Sequence, residues 1–136
     1  MLERETITPE AMTPPMGAYS HGYSVNVGDA RMIFVTGQIA IDHEGNPVSD
    51  DIEVQTRFVF ERVSSVLEAA NSSMDDVVKA QIFLTDIRDF AVVSPIRNEF
   101  FGTSKPVSTL VEVSALVRPE CKVEVEVIAI SGANQA

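Results

Sequence analysis

Between Lys122 and Ile130 the sequence reads KVEVEVIAI, with Val123, Val125, Val127 and Ala129 at every second position and Lys122, Glu124 and Glu126 between them. Period-two alternation of this kind predicts a strand with one apolar face. The run from Ile52 to about Ala70 has a different period. Ile52, Val59, Val63, Val66, Leu67 and Ala70 recur at helical spacing, with Asp50 or Asp51 placed to cap the start and NSSMDD to end it. Ser73 and Asp76 then suit a further capped turn. Val77 to Leu84 is β-branched and alternating, hence a strand. TDIRDFAVVSPIRNEFFG predicts a second helix, with Asp86 or Asp89 as cap, Gly102 as stop, and Pro95 splitting off its first half. Tyr23 to Val27 and Arg31 to Ile39 flank the turn GDA as a hairpin, and Val107 to Val113 gives one more strand, joined to the last by SALVRPEC. Residues 1 to about 22, with two adjacent prolines and two glycines, read as irregular, and 1–15 as an irregular N-terminal segment.

A hairpin followed by alternating helices and strands predicts an α/β or α+β domain with a mixed sheet. Two helices cover only one face of such a sheet. The valines of the last strand should meet them, which leaves Glu124 and Glu126 on the opposite face. Aligned on its apolar residues, the strand KPVSTLVEV puts Val107, Thr109, Val111 and Val113 under the helices and Ser108, Leu110 and Glu112 beside Glu124. That second face mixes acids with Leu110, Ile128 and Ile130. Two readings fit it: a solvated sheet face, or a surface covered by another copy of the chain, with clefts between copies.

Composition narrows the function. The 136 residues suit one compact domain spanning 1–136. No apolar run approaches the roughly 18 residues that span a bilayer, and MLERETITPE has no apolar core of a signal peptide. A lone cysteine, Cys121, suits a reducing, cytoplasmic setting and reads as inert. A net charge of −10 with ten scattered basic residues disfavours nucleic acid and anionic membranes. His21 and His43 are isolated, so no metal site is expected, and no glycine-rich phosphate loop is present.

MGAYSHG, IFVTGQIAID, VVKAQIFLTDIRDF, NEFF and KVEVEVIAI together resemble the RidA/YjgF family of reactive-intermediate deaminases, over Met12 to Ile130. The resemblance implies an α+β, chorismate-mutase-like fold: a mixed sheet with two helices on one face. It implies a homotrimer with three interface clefts for a small-molecule metabolite, and hydrolysis of imines or enamines to a carbonyl compound and ammonia without metal or cofactor. It also places site residues. Tyr19 matches the cleft tyrosine, Thr36 and Gly37 a hydroxyl–glycine pair, Ser94 a position often asparagine, and Glu124 the glutamate that holds a water.

One match fails. Active deaminases carry an arginine in a pattern like P-A-R-S-x-V-E-V, where this chain reads PVSTLVEV. Ser108 takes the arginine position, and Leu110 that of a common cysteine. A guanidinium grips a carboxylate through two parallel hydrogen bonds, whereas serine brings no charge. Weak or absent turnover of simple 2-imino acids is therefore expected, with Arg97, Arg118 or His21 as candidate replacement cations. Two functions stay open: a deaminase with altered substrate recognition, in which Glu124 activates water with Glu126 and Glu112 nearby, and a non-catalytic ligand-binding or regulatory homotrimer. A nuclease ranks below both because of the acidic charge.

Overall fold

Alternating strands and two capped helices fold into one mixed sheet. The computed structural model describes residues 3–132. In chain order the elements are β1 Arg4–Ile7, β2 Gly22–Val27, β3 Ala30–Ile39, α1 Ile52–Ala69, β4 Val77–Leu84, α2 Phe90–Phe101, β5 Val107–Glu112 and β6 Val123–Gly132. The sheet order is β1-β2-β3-β6-β4-β5. All neighbours are antiparallel except β4 and β5, which run parallel through the α2 crossover. The closing strand of the sequence is thus central in space, between β3 and β4.

Both helices lie on one face, and the alternation in β6 determines what they bury. Val123, Val125, Val127 and Ala129 join one core with Val59, Phe60, Val63, Val66 and Leu67 of α1 and Val93 and Ile96 of α2. Phe60 is fully buried; it stacks on Phe100 at 5.1 Å between ring centroids and meets Phe101 edge-on at 5.4 Å. Asp51 caps α1 by accepting from the Glu53 N–H at 2.8 Å. At the other end Asn71 is left-handed (φ 58°), and Ser72 and Asn71 donate to the carbonyls of Leu67 and Glu68 at 2.9 and 3.0 Å, a Schellman closure. Ser73 caps the short turn Met74–Asp76.

Three features depart from the sequence expectation, and one expected feature is met in an unexpected way. Arg4–Ile7 is a strand, paired with β2 from Arg4↔Val25 to Ile7↔Gly22, where the N-terminal segment read as irregular. Four residues are too few to show a period, and only the exposed edge of β2 gives them pairing partners. Pro95 does not split α2, which runs unbroken; the separate turn lies before it, at Ile87–Asp89, capped by Asp86. Gly102 ends α2 but keeps right-handed angles, and the chain reverses instead at Lys105 (φ 47°), whose N–H donates to the Phe101 carbonyl at 3.0 Å.

The third departure concerns β5, where the expected faces are reversed. Ser108, Leu110 and Glu112 pair with Ala80, Ile82 and Leu84, which are buried beneath the helices. Leu110 packs on the core, while Val107 and Val111 lie on the open face, 69% and 40% exposed. Alternation fixes which residues share a face but not which face it is; the edge position of β5 lets valines sit outside.

Candidate active site

The site begins at an irregularity in β3. The pairing of β3 with β6 slips between Val35 and Gln38, so Thr36 and Gly37 fall in the bulge with no strand partner on β6. The bulge turns them toward the end of the sheet where β6 starts. Glu124, the second residue of β6, lies on the open face across from Phe83, and its carboxylate rests directly on Gly37. A Cβ at position 37 would stand 2.8 Å from Glu124 Cδ, so only glycine leaves room for the acid there.

Buried contacts hold this corner. Gln55, 1% exposed on α1, donates to the carbonyls of Ser49 and Glu120 at 2.8 and 3.0 Å and accepts from the Lys122 N–H at 2.8 Å. All its polar atoms near the chain entering β6 are satisfied, which anchors the segment two residues before Glu124. Thr36 donates its hydroxyl to the Ser20 carbonyl and its N–H to the His21 carbonyl at 2.8 Å, tying the Tyr19 segment to the bulge. His21 Nε2 lies 2.9 Å from the Thr13 carbonyl, which makes Nε2 the protonated nitrogen; Nδ1 is buried with no partner.

Tyr19, Thr36, Gly37 and Glu124 therefore line one open cleft of about 710 Å³. Tyr19 is 59% exposed. Burial, with a smaller contribution from the charge of Glu126, pushes the Glu124 carboxyl above the ordinary glutamate range. Glu112 takes no part: its Oε1 accepts from the Ile87 N–H at 2.9 Å and fixes the turn before α2, on the helix side of the sheet. Burial also raises the Cys121 thiol, consistent with an unreactive side chain.

The remaining expected residues lie elsewhere. Ser108 is on β5, two strands from β6 and on the other face. Ser94 is on α2, where it accepts from Arg97 Nη2 at 3.0 Å. Leu110 is committed to the core. One chain thus splits the expected site into a Tyr19–Thr36–Gly37–Glu124 cluster and a Ser94–Ser108 edge, at least about 10 Å apart at two strand widths.

Two arginines line the cleft near the Ile41–Gly45 turn. Arg118 was among the candidate cations; its Nε pairs with Glu120 at 3.3 Å and its Nη1 donates to the Gly45 carbonyl at 3.2 Å. Arg62 went unnoticed in the sequence. It donates to the Ile41 carbonyl at 2.9 Å and lies 4.8 Å over the Phe58 ring. The available signal was a cation directly beside the apolar stripe of α1.

Known proteins match over most of the chain. The family described as endoribonuclease L-PSP matches residues 10–131. A RutC family protein of Pyrococcus abyssi is 42% identical over 94% of this chain and 98% of its own. The 2-iminobutanoate/2-iminopropanoate deaminase of Salmonella typhimurium is 33% identical over 93% of this chain and 97% of its own. The crystal structure of the YjgF gene product from E. coli superposes with a TM-score of 0.79 at 32% identity, covering 93% and 98% of the two chains.

Proposed function

The chain belongs to the RidA/YjgF family, and from that premise we propose that it hydrolyses imines or enamines to a carbonyl compound and ammonia, in clefts between copies of a homotrimer. The observation that carries this reading is the Glu124 carboxyl seated on Gly37, with its proton affinity raised, in a cleft shared with Tyr19 and Thr36. The deaminase relative supplies the reaction class.

The chemistry asks little of the protein. Glu124 orients a water against the C=N carbon and accepts one of its protons as the C–O bond forms. The imine nitrogen takes up a proton, giving a carbinolamine. A second protonation at nitrogen makes ammonia the leaving group; the C–N bond breaks as the hydroxyl proton departs and C=O forms. The Thr36 hydroxyl spends its proton on the Ser20 carbonyl, so toward a ligand it acts as an acceptor, suited to an imine N–H. The Gly37 N–H suits a substrate oxygen.

The open face supports assembly, and the family resemblance supplies the number three. Phe34 and Ile130 are 39% and 40% exposed there, alongside Val107 and Val111, an apolar surface that a monomer would leave in water. A copy whose β5 edge packs against the open face of the next would bring its Ser94–Ser108 edge toward that neighbour's Glu124 cluster. A non-catalytic ligand-binding trimer is the second reading, favoured by serine at position 108. The acidic charge weighs against a nuclease despite the family's description.

Ammonia release from a panel of imines generated in situ decides between the first two. The deaminase reading expects acceleration over buffer for at least one substrate, and a loss of about a hundredfold or more in Glu124→Gln. Wild-type protein no faster than buffer across the panel leaves the binding reading.

A further inference from the structure

The helix face of the sheet is apolar along most of its length, but its last row is polar. Arg31 of β3 pairs with Asn26 of β2 and with Ser131 of β6, so these three side chains share the face of Ile33 and Val35. Glu3 extends the row from just before β1: its carbonyl accepts from the Asn26 N–H at 2.8 Å and its Oε2 from Asn26 Nδ2 at 3.0 Å. Glu5 and Ser24, paired with each other, stand one row nearer the core. Glu3, Arg4, Glu5, Ser24, Asn26 and Arg31 line a groove of about 240 Å³. Beside it α1 closes, where Arg31 Nη2 donates to the Asn71 carbonyl at 3.3 Å. The Glu124 cleft is on the other face of the sheet and at the other end of β3, where Ile39 pairs with Glu124, about 25 Å along the strand.

This row is enclosed by the fold. Ser24 and Ser131 are 4% and 7% exposed. Among the described residues, Ser131 Oγ and Arg31 Nε are both buried and have no hydrogen-bond partner. Buried polar atoms in folded proteins are nearly always partnered. Both of these can donate, and they belong to residues that pair directly across β3 and β6, so one acceptor from outside the chain suits both.

The charges decide what kind of molecule fits. The guanidinium stands on β3 at one side of the groove, and the Glu3 and Glu5 carboxylates stand at the other, with the neutral Ser24 and Asn26 of β2 between them. Among the described residues, neither acid comes within 4 Å of Arg31, so the two signs face each other without pairing. A simple anion would meet the two acids, and a simple cation would meet Arg31 and Arg4. A molecule that carries both charges satisfies both sides. We propose that this groove binds a free α-amino acid, with its carboxylate on Arg31 and the hydroxyls of Ser24 and Ser131 and its ammonium on Glu5. Charge-assisted hydrogen bonds form at both ends of such a ligand. A volume below the roughly 300 Å³ at which ligand pockets usually begin restricts the amino acid to a small side chain. The site is separate from the Glu124 chemistry and stands whether or not the chain hydrolyses imines.

The test is titration of the isotope-labelled full chain with L-alanine, followed by backbone amide NMR shifts, with propionate and ethylamine as analogues that each keep one of the two charges. The expected result is a saturable shift at Ser24, Asn26, Arg31 and Ser131, with alanine bound at least about tenfold more tightly than either analogue. Glu5→Gln and Arg31→Gln should each weaken alanine at least about tenfold. Arg88→Gln, which removes a charge from an exposed arginine paired with Asp86, should change it by no more than about twofold. Far-UV circular dichroism and Tm identify a variant that has failed to fold, and Glu5→Gln, at an exposed position on an edge strand, keeps the test decisive if the half-buried Arg31 does not tolerate replacement. No saturable shift at those four amides, equal affinity for alanine and either analogue, or wild-type affinity in folded Glu5→Gln protein would each overturn the proposal. Shifts confined to Gly37 and Glu124 would overturn it too, by assigning the amino acid to the cleft already described.

Discussion

At the scale of single residues, the site depends on the absence of a side chain at Gly37. Its close approach to Glu124 explains why a bulge, a glycine and an acid occur together: the bulge opens the strand, the glycine leaves space, and the carboxylate fills it. Gly37→Ala would force the carboxylate aside or strain the bulge. The displaced atoms end a flexible side chain, so unfolding free energy should fall by no more than about 1 kcal/mol in denaturant titration, while ammonia release, which needs the carboxylate in place, should fall at least about tenfold. Titration of Glu124 gives a second expectation. Its folded pKa lies above the ordinary 4.5, so the folded state favours the protonated acid. The stabilisation this gives is fully present below the unfolded value, and it is lost as pH rises through the folded pKa. Glu124→Gln, which is never charged, should therefore gain thermal stability relative to wild type as pH is raised across that interval. Activity runs the other way, because the base must be ionised: kcat/KM should rise with pH through a pKa above 4.5. A flat profile from pH 4 to 7 would remove Glu124 as the base.

At the scale of elements, α1 does more than cover the sheet. Its apolar stripe buries Val59, Val63, Val66 and Leu67, while Gln55 on the same helix reaches the chain that leads into β6. Gln55→Ala leaves the Lys122 N–H and two carbonyls without their partner. The expected loss is about 1–3 kcal/mol in urea denaturation, with faster amide hydrogen exchange at Lys122. Unchanged exchange there would mean that β6 is set by strand pairing alone. The stripe read from the sequence omitted Gln55 and Thr56 because both are polar; each is buried because its hydrogen bonds are met, Thr56 by the Ile52 carbonyl at 2.7 Å.

At the scale of the whole molecule, the open face decides whether the two residue clusters ever meet. Light scattering should give about three times the 14.8 kDa chain mass, and Phe34→Asp, placed in the middle of that face opposite Ile128, should yield smaller species that remain folded. A wild-type monomer would leave the Glu124 cleft open on one side and separate it from the Ser94–Ser108 edge. In a trimer, by contrast, each ligand would bridge two chains, so assembly and binding would strengthen each other: added ligand should raise Tm and hold the oligomer together on dilution.

Periodicity along the chain determined most of the elements, since the burial of one stripe or one strand face is a local property of sequence. It identified α1, α2 and β2 to β6, and it assigned Glu124 and Glu126 to the face away from the helices. Three things needed tertiary structure. The strand Arg4–Ile7 exists because β2 offers an unpaired edge. Ser108 lies on the helix side of the sheet because pairing with β4 sets the register, and a slip of one residue exchanges the two faces. Glu5 and Arg31, far apart in the chain, border one groove because β2 lies between β1 and β3 in the sheet. Each depends on which segments become neighbours, a matter of pairing energy between distant residues that no local pattern encodes.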